Sequence, residues 1–374
     1  MQNGLTIQRL FMKMKEVDAS DLHLKPGSPP VLRINKLLHR VELPALTAED
    51  TKKLLDPIIP DHLRPVLEEH GGIDFSHREG EEERFRSAIF HAGGALHAAF
   101  RRVQPYIPNF KELNLPPVYE EMTRSTHEGL VIVCGVTGCG KSSTLAAMID
   151  NINHTRQSNI LTVEDPVEFL FHPDQSYVSQ REIGVDVPDF PTALRNAVRQ
   201  DPDVLMIGEM RDRVTMLAGI QAAETGHLVF ATLHTADTQQ SFSRILEFFD
   251  TKDHPFIRSG LAAGLRTVMA QRLVPCARED IGRVPATEVL INNSTMSEKI
   301  RDGMDQDIPA VVQSSQHEGM HTFTSSFVRL VEEEWIDLKI AEQYAPNAEA
   351  LRSQVRGVKV KADRLIRRVG GIGT

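Results

Sequence analysis

The sequence predicts an α/β protein that carries a second, smaller α+β domain, and two patterns lead to this prediction. From about residue 125 onward, apolar runs of strand length alternate with helical patterns, which is typical of a largely parallel sheet with helices on both faces. Before residue 105, short strand-like runs follow one another and indicate an antiparallel sheet. A chain of 374 residues is long enough for two such domains.

The composition argues against several classes of protein. The chain has 51 acidic and 42 basic residues and a net charge of −9, so we expect no nucleic-acid partner. Cys134, Cys139 and Cys276 have no C-x-x-C spacing, which fits a reducing cytoplasm and no zinc module. No apolar run approaches the roughly 20 residues that span a bilayer, so we expect membrane contact only through partners.

Residues 1–104 are predicted to form the smaller domain. Residues 5–17 have the spacing of an amphipathic helix, and residues 31–41 alternate around a polar Asn35-Lys36 centre, which predicts a hairpin. Thr47 is a plausible N-cap for the first of two short helices. The remaining strands of this domain are predicted at residues 19–24, 72–79, 84–92 and 95–103.

A proline-rich linker, residues 105–124, is expected to join this domain to the larger one, residues 125–360. Beyond residue 238 the pattern indicates mainly helices, including one over residues 256–274, with a single strand at 284–291. Residues 361–374 form a basic tail that is expected to fray.

The strongest motif of the chain lies between an apolar strand and an alanine-rich helix. It has the pattern G-x-x-x-x-G-K-[ST], in which glycines let backbone N–H groups converge on one point and the following helix adds its positive end. The motif predicts an ATP site, with Lys141 at the β- and γ-phosphates and Ser142 as a ligand of Mg²⁺. The alternative is a glycine-rich turn that only joins the two elements. The predicted nucleotide-binding residues are Gly135, Val136, Thr137, Gly138, Cys139, Gly140, Lys141, Ser142 and Ser143.

Two acidic residues follow predicted central strands beyond this loop. Glu164 ends one apolar run, and Glu209 follows another through a glycine. Open α/β sheets bind ligands at the carboxyl ends of their strands, and phosphoryl transfer needs one carboxylate for the metal shell and one that orients water. The alternative for each is a solvated loop acid. Asp165, Glu168 and Asp203 are expected to be structural.

Two histidines, two arginines and a cysteine are further candidates for functional residues, and each has a structural alternative. His234 ends a predicted strand that His227 begins, and it could contact a γ-phosphate or be a structural histidine. Arg86 and Arg101 are expected to project from adjacent strands of one sheet, or to lie on a solvated face. Cys139 lies at a helix N-terminus, where a thiol pKa is often lowered and the thiol becomes sensitive to oxidants; the alternative is an inert small residue.

These motifs stand in the order found in one family. The chain resembles the type IV pilus retraction ATPases of the secretion ATPase superfamily, which drive twitching motility. The resemblance implies a PAS-like N-terminal domain, a RecA-like P-loop ATPase domain, and ATP bound between the two. The segments that carry it are ASDLHL (19–24), RFR (84–86), GVTGCGKSSTLAAMID (135–150), ILTVEDPVEF (160–169), QREIG (180–184), ALRNAVRQDPDVLMIGEMRD (193–212) and AAETGHLVFATLHT (222–235).

The resemblance also implies partners and a location. The family works as a homohexameric motor in the cytoplasm, peripheral to the inner membrane. It acts on an inner-membrane platform protein of the pilus and so withdraws pilin subunits. ATP and Mg²⁺ are the expected cofactors.

Individual roles follow from the same resemblance. Glu164 matches the residue expected to activate water. Glu209 matches the Walker B glutamate near Mg²⁺, and Gly208 replaces the usual Walker B aspartate, as is normal for the superfamily. His234 matches the family's histidine box, and His227 matches its upstream companion and is expected among the nucleotide-binding residues. Arg86 and Arg101 match arginines of the N-terminal domain that reach across to the γ-phosphate. The catalytic residues that the resemblance implies are Glu164, Glu209, His234, Arg86 and Arg101.

Some segments depart from the family pattern. Val136 and Cys139 replace the usual proline and serine of the loop, which leaves the backbone contributions intact. SEKIRDG at residues 297–303 replaces a motif tied to retraction, and residues 342–357 are closer to accessory retraction ATPases. An accessory retraction ATPase or a related secretion ATPase is therefore the near alternative, and a nucleic-acid translocase is the alternative from a different class.

Overall fold

The computed structural model describes residues 4–34, 37–80, 83–103, 106–278 and 281–357. The chain forms two compact units. The predicted hairpin centre Asn35-Lys36 and the predicted basic tail lie outside the described residues. No helix in the described ranges has the length and apolar character that crossing a membrane requires.

The first unit contains residues 1–106 together with 165–170 and 182–188. The strands are β1 (Asp21–Leu24), β2 (Val31–Ile34), β3 (Leu37–Arg40), β4 (Gly72–Glu79), β5 (Glu83–Ala92) and β6 (Ala95–Arg102), and the helices are α1 (Ile7–Glu16), α2 (Ala48–Leu55) and α3 (Arg64–His70). The strands form an antiparallel sheet in the order β3-β2-β1-β6-β5-β4.

The predicted opening helix supplies much of the core of this unit. The α1 side chains at helical spacing, Phe11 among them, are buried. The Phe11 ring stacks on Phe85 at a centroid distance of 4.0 Å and meets Phe100 edge-on at 5.1 Å. At the start of α2, Thr47 and Asp50 form a reciprocal capping box, so the predicted N-cap is confirmed. The prediction of an α+β domain with an antiparallel sheet is confirmed as well.

The second unit contains residues 107–164, 171–181 and 189–374. Its strands are β7 (Gly129–Cys134), β8 (Asn159–Glu164), β9 (Tyr177–Glu182), β10 (Val204–Ile207), β11 (Leu228–Leu233), β12 (Leu265–Pro275) and β13 (Arg283–Ile291). They form a seven-stranded sheet in the order β13-β12-β7-β11-β10-β8-β9. The helices are α4 (Pro117–Ser125), α5 (Lys141–Thr155), α6 (Phe190–Ala197), α7 (Arg213–Glu224), α8 (Thr238–Leu246), α9 (His254–Gly264), α10 (Ser294–Asp302), α11 (Ile308–Ser314), α12 (Phe323–Glu332) and α13 (Leu338–Tyr344).

The centre of this sheet is parallel, as predicted. β7, β11, β10 and β8 run side by side in the same direction. Every residue of β7 and β11 is buried, which is the pattern of strands covered by helices on both faces. Their carboxyl ends therefore lie at one edge of the sheet, and this edge carries the predicted site.

The helix predicted over residues 256–274 is wrong in its second half. α9 ends at Gly264, and β12 begins at the next residue. β12 pairs in parallel with β7 and antiparallel with β13, so this part of the chain holds two strands rather than one. A segment rich in apolar residues fits a buried helix as well as a buried strand. Here the pairing with β7, some 135 positions earlier in the chain, decides between them.

Most of the proline-rich segment predicted as a linker lies in the second unit. Its helix α4 packs on α5. The Thr123 hydroxyl donates a hydrogen bond to the Asn151 side chain at 2.7 Å, and the guanidinium of Arg156, the residue after α5, donates to the Thr123 carbonyl. These contacts join the segment to the helix that follows the glycine-rich loop.

Candidate active site

The glycine-rich loop connects β7 to α5 at the carboxyl edge of the parallel sheet. Gly138 and Gly140 have φ angles of +77° and +93°, a region that side-chain-bearing residues rarely adopt. Within the described part of the chain, no acceptor is bonded to the N–H groups of these two glycines. Free N–H groups at the start of a helix form a binding site for an anion such as a phosphate.

Lys141 lies over this loop. Its ammonium group donates hydrogen bonds to the Gly135 carbonyl at 2.9 Å and to the Val136 carbonyl at 3.3 Å, and the residue is only 8% exposed. Two neutral carbonyls compensate a buried positive charge incompletely. The position therefore favours a negatively charged ligand.

Glu164 ends β8 at the same edge of the sheet. It is 5% exposed, and its Oε1 accepts hydrogen bonds from the Thr162 hydroxyl at 2.7 Å and the Gln180 amide at 3.0 Å. The alternative of a solvated loop acid is thereby excluded for this residue. Its two donors fix the orientation of the carboxylate at the end of the strand.

Glu209 follows β10 and contacts the end of the neighbouring strand β11. Its carboxylate lies 3.1 Å from His234 Nε2 and 2.6 Å from an Arg211 nitrogen. The Thr232 hydroxyl donates to the Gly208 carbonyl at 2.6 Å and so holds the two strand ends together. Burial opposes the charge of Glu209, but the hydrogen bonds and charges of Arg211 and His234 outweigh it and hold its pKa below the ordinary 4.5.

The lowered pKa of Glu209 predicts a pH-dependent stability difference between the wild type and Glu209→Gln. A carboxylate with a depressed pKa stabilises the fold fully above its ordinary pKa of 4.5 and loses this contribution as the pH falls through the lower folded value. We expect the wild type to exceed E209Q by about 1 kcal/mol at pH 7. Urea unfolding should show this gap shrinking below pH 4.5; a gap that stays constant or widens there would contradict the assignment.

Arg86 and Arg101 lie opposite each other on adjacent strands, as predicted. The two residues are directly paired in the antiparallel register of β5 and β6. The Arg101 guanidinium donates to Asp21 at 2.9 Å, and Arg86 lies 3.8 Å from Glu168. Burial opposes the charge of Asp21, but the hydrogen bonds from Ser20 and Arg101 lower its pKa. Both arginines therefore carry ion-pair partners within the first unit.

The two predicted histidines lie at opposite ends of β11. His234 reaches the carboxyl edge beside Glu209. His227 precedes the strand, and its Nδ1 lies 3.1 Å from the Ala222 carbonyl and 3.2 Å from the Thr225 hydroxyl. The second unit thus brings His234, but not His227, together with the loop and the two glutamates.

The hypothesis of an oxidant-sensitive thiol at Cys139 is wrong. The residue is 2% exposed, and burial raises its thiol pKa in spite of the Lys141 charge and the nearby backbone N–H groups. A buried protonated thiol is a poor nucleophile. Cys139 is therefore a small packing residue of the loop.

One polar residue at the loop was missed because its segment was predicted to be helical. Gln271 lies on β12, is 1% exposed and contacts both the loop and α5. The available signal was a glutamine within the mainly apolar residues 268–274, since a buried amide requires hydrogen-bond partners.

A cleft of about 480 Å³ opens beside the loop. Two loop residues, Val136 and Thr137, form part of its lining together with His234. Polar side chains of α8, Gln240 and Arg244 among them, complete it. The cleft gives solvent and ligands access to the edge that carries the loop.

The glycine-rich loop between β7 and α5 is followed by the buried Lys141 and lies at the same sheet edge as the carboxylates of Glu164 and Glu209. This arrangement defines a P-loop ATPase. Residues 104–356 match the family described as "Type II/IV secretion system protein". The chain belongs to this family.

The similar proteins include pilus motors. The chain is 36% identical to the type IV pilus retraction ATPase PilT of Pseudomonas aeruginosa, over 91% of this chain and 98% of that protein. It is 34% identical to the type IV pilus ATPase PilU of the same organism, over 96% and 94%. A solved structure of the pilus retraction motor PilT with bound ADP has a TM-score of 0.87 and 38% identity, and the match covers 94% of this chain and all of that one. The predicted RecA-like ATPase fold, nucleotide binding and ATPase activity are thereby confirmed.

Proposed function

We propose that this protein is an ATP-hydrolysing motor that powers type IV pilus retraction, and hence twitching motility. The observation that carries the proposal is the grouping of Lys141, Glu164 and Glu209 at one sheet edge, in a chain that aligns over 91% of its length with a retraction ATPase. The proposed working form is a cytoplasmic homohexamer peripheral to the inner membrane. It acts on the pilus platform protein, withdraws pilin, and binds no nucleic acid.

The proposed reaction is hydrolysis of ATP. Lys141 and the N–H groups of Gly138 and Gly140 bind the β- and γ-phosphates. Water attacks the γ-phosphorus, the bond from that phosphorus to the ADP oxygen breaks, and Glu164 takes the proton of the water. ADP and inorganic phosphate are the products.

The residues around the loop fit a Mg²⁺ ion bound mainly through phosphates. The described residues contain no group of three or more side chains suited to hold a metal, and Mg²⁺ at nucleotide sites commonly uses one or two protein groups plus phosphates and water. Ser142, in the first turn of α5, and Glu209 are the proposed protein contributions. When bound, the ion neutralises charge on the phosphates.

The remaining site residues enter the proposal as groups that respond to the γ-phosphate. The contact of His234 with Glu209 supports this role for the histidine. Arg86 and Arg101 would exchange their partners Glu168 and Asp21 for phosphate oxygens. His227 is the exception: it is proposed as a nucleotide-binding residue, on the resemblance alone.

An accessory retraction ATPase is the second candidate, favoured by the alignment with PilU over 96% of the chain. The segment 297–303, which lacks the motif tied to retraction, forms most of α10 and ends at Gly303 in a left-handed conformation. This helix is thus intact as a structural element although its sequence differs from the family pattern.

Deletion of the gene tests the proposed function and separates it from the alternatives. We expect cells that keep surface pili but lose twitching, and we expect the wild-type gene to restore twitching. Pili that still retract, but with reduced force, would favour the accessory role. Loss of surface pili would contradict a retraction role and indicate pilus assembly instead.

A further inference from the structure

Gln271 of β12 is buried against the glycine-rich loop, residues 135–140, which is the proposed phosphate loop. Its amide group donates a hydrogen bond from Nε2 to the Cys139 carbonyl at 2.8 Å and accepts one at Oε1 from the Thr144 hydroxyl at 2.9 Å. All three residues are buried. Lys141, Ser142 and Ser143 lie between the two bonded positions, so both ends of the functional segment are tied to one side chain.

The loop has little space to move away from this contact. A Cβ atom at Gly135 would lie 2.6 Å from the Gln271 carbonyl oxygen, and one at Gly140 would lie 3.1 Å from the Gln271 amide nitrogen. The glycines thus let the loop approach β12 closely. Since breaking either hydrogen bond would leave a buried polar group without a partner, the loop is held in one conformation.

The bond to the Cys139 carbonyl also sets the direction of the next N–H group. In a trans peptide the C=O of one residue and the N–H of the next point in opposite directions. Because the Cys139 carbonyl points to Gln271, the Gly140 N–H points away from Gln271. That N–H group is one of the two for which no acceptor is found in the described part of the chain.

Arg272, the next residue of β12, contacts the segment that follows His234. Its guanidinium donates to the Ala236 carbonyl at 3.2 Å, two residues after His234. Adjacent residues of a strand point to opposite faces. One strand therefore supports both the phosphate loop and the segment that follows the histidine.

We propose that Gln271 is a positioning residue of the nucleotide site, which holds the phosphate loop in the conformation that binds the polyphosphate of ATP and ADP. It touches no substrate atom. A loop that is ordered before binding loses less conformational entropy when the ligand arrives. Removal of the amide should therefore weaken nucleotide binding more than it slows hydrolysis at saturation.

Gln271→Met tests this inference, since methionine has a similar volume and no hydrogen-bonding amide. We expect the Kd of Mg·ADP, measured by titration calorimetry, to rise about tenfold, the scale of losing both hydrogen bonds of the amide. The KM for ATP should rise similarly, while kcat changes less than about threefold. Thr144→Val removes one of the two bonds and should raise Kd about threefold. In the double variant the effects should be less than additive.

Thr267→Val is the matched control on the same strand. Its buried hydroxyl donates to the Leu290 carbonyl at 2.7 Å, away from the loop, so the variant should lower Tm but leave Kd unchanged. A folded Q271M protein with wild-type Kd would overturn the inference, as would an equal rise of Kd in T267V. If the Q271M protein does not fold, the T144V variant provides the test, and an unchanged Kd of Mg·ADP in T144V would overturn the inference. The measurements that decide the inference are nucleotide binding and turnover by the purified protein. Their outcome therefore does not depend on the proposed role in pilus retraction.

Discussion

Lys141→Ala is expected to lower steady-state ATP hydrolysis about 1,000-fold, which is the scale of losing a main electrostatic contact to the transferred group. The ammonium lies at the loop, bonded to the Gly135 and Val136 carbonyls, and Lys141 is the one basic residue among residues 135–143. The measurement is phosphate release by purified protein at saturating ATP.

Lys252→Ala is the control for the loss of a lysine. Lys252 is highly exposed and lies 3.6 Å from Asp250, and exposed ion pairs contribute little. Its variant should hydrolyse ATP at the wild-type rate. Turnover by K141A within about tenfold of the wild type would show that the glycine loop is not where the phosphates bind.

Glu164→Gln is expected to lower kcat about 1,000-fold, the range attributed to a general base, while the Kd of Mg·ATP stays within about threefold of the wild type. Glutamine keeps the shape of the residue and an oxygen for the Thr162 and Gln180 donors, but it cannot take a proton from water. Single-turnover hydrolysis and a separate binding titration distinguish the two quantities.

Glu120→Gln provides the matched control, because Glu120 pairs with Arg124 on the surface of α4 and has no proposed role in the reaction. It should leave both kcat and Kd unchanged. If E164Q kept more than a tenth of the wild-type kcat, the base would have to be another residue, and Glu209 would be the first candidate to test.

The sequence was sufficient to predict the structure where the pattern depends only on neighbouring residues. The run from Gly129 to Ser142 contains a strand, a loop and the start of a helix within 14 residues, and no distant contact is needed to recognise it. The alternation of β5 and β6 likewise predicted that Arg86 and Arg101 project from one sheet, and the register confirms it.

The sequence was insufficient where distant pairing decides the structure. β12 was predicted as helix because its apolar run fits either element, and Gln271 was missed with it. The ion pair of Arg101 joins residues 80 positions apart, and the burial of Glu164 depends on strands from three parts of the chain. The Cys139 prediction failed for a related reason: the motif shows the helix end but not the burial that raises the thiol pKa.

The most direct test of the motor function is to image labelled pili in cells whose only copy of this gene encodes the Glu164→Gln variant. We expect pili that extend and stay extended, whereas cells with the wild-type gene retract them. Retraction at the wild-type rate in the E164Q cells, with purified E164Q protein unable to hydrolyse ATP, would contradict the proposal that ATP turnover by this protein withdraws the pilus.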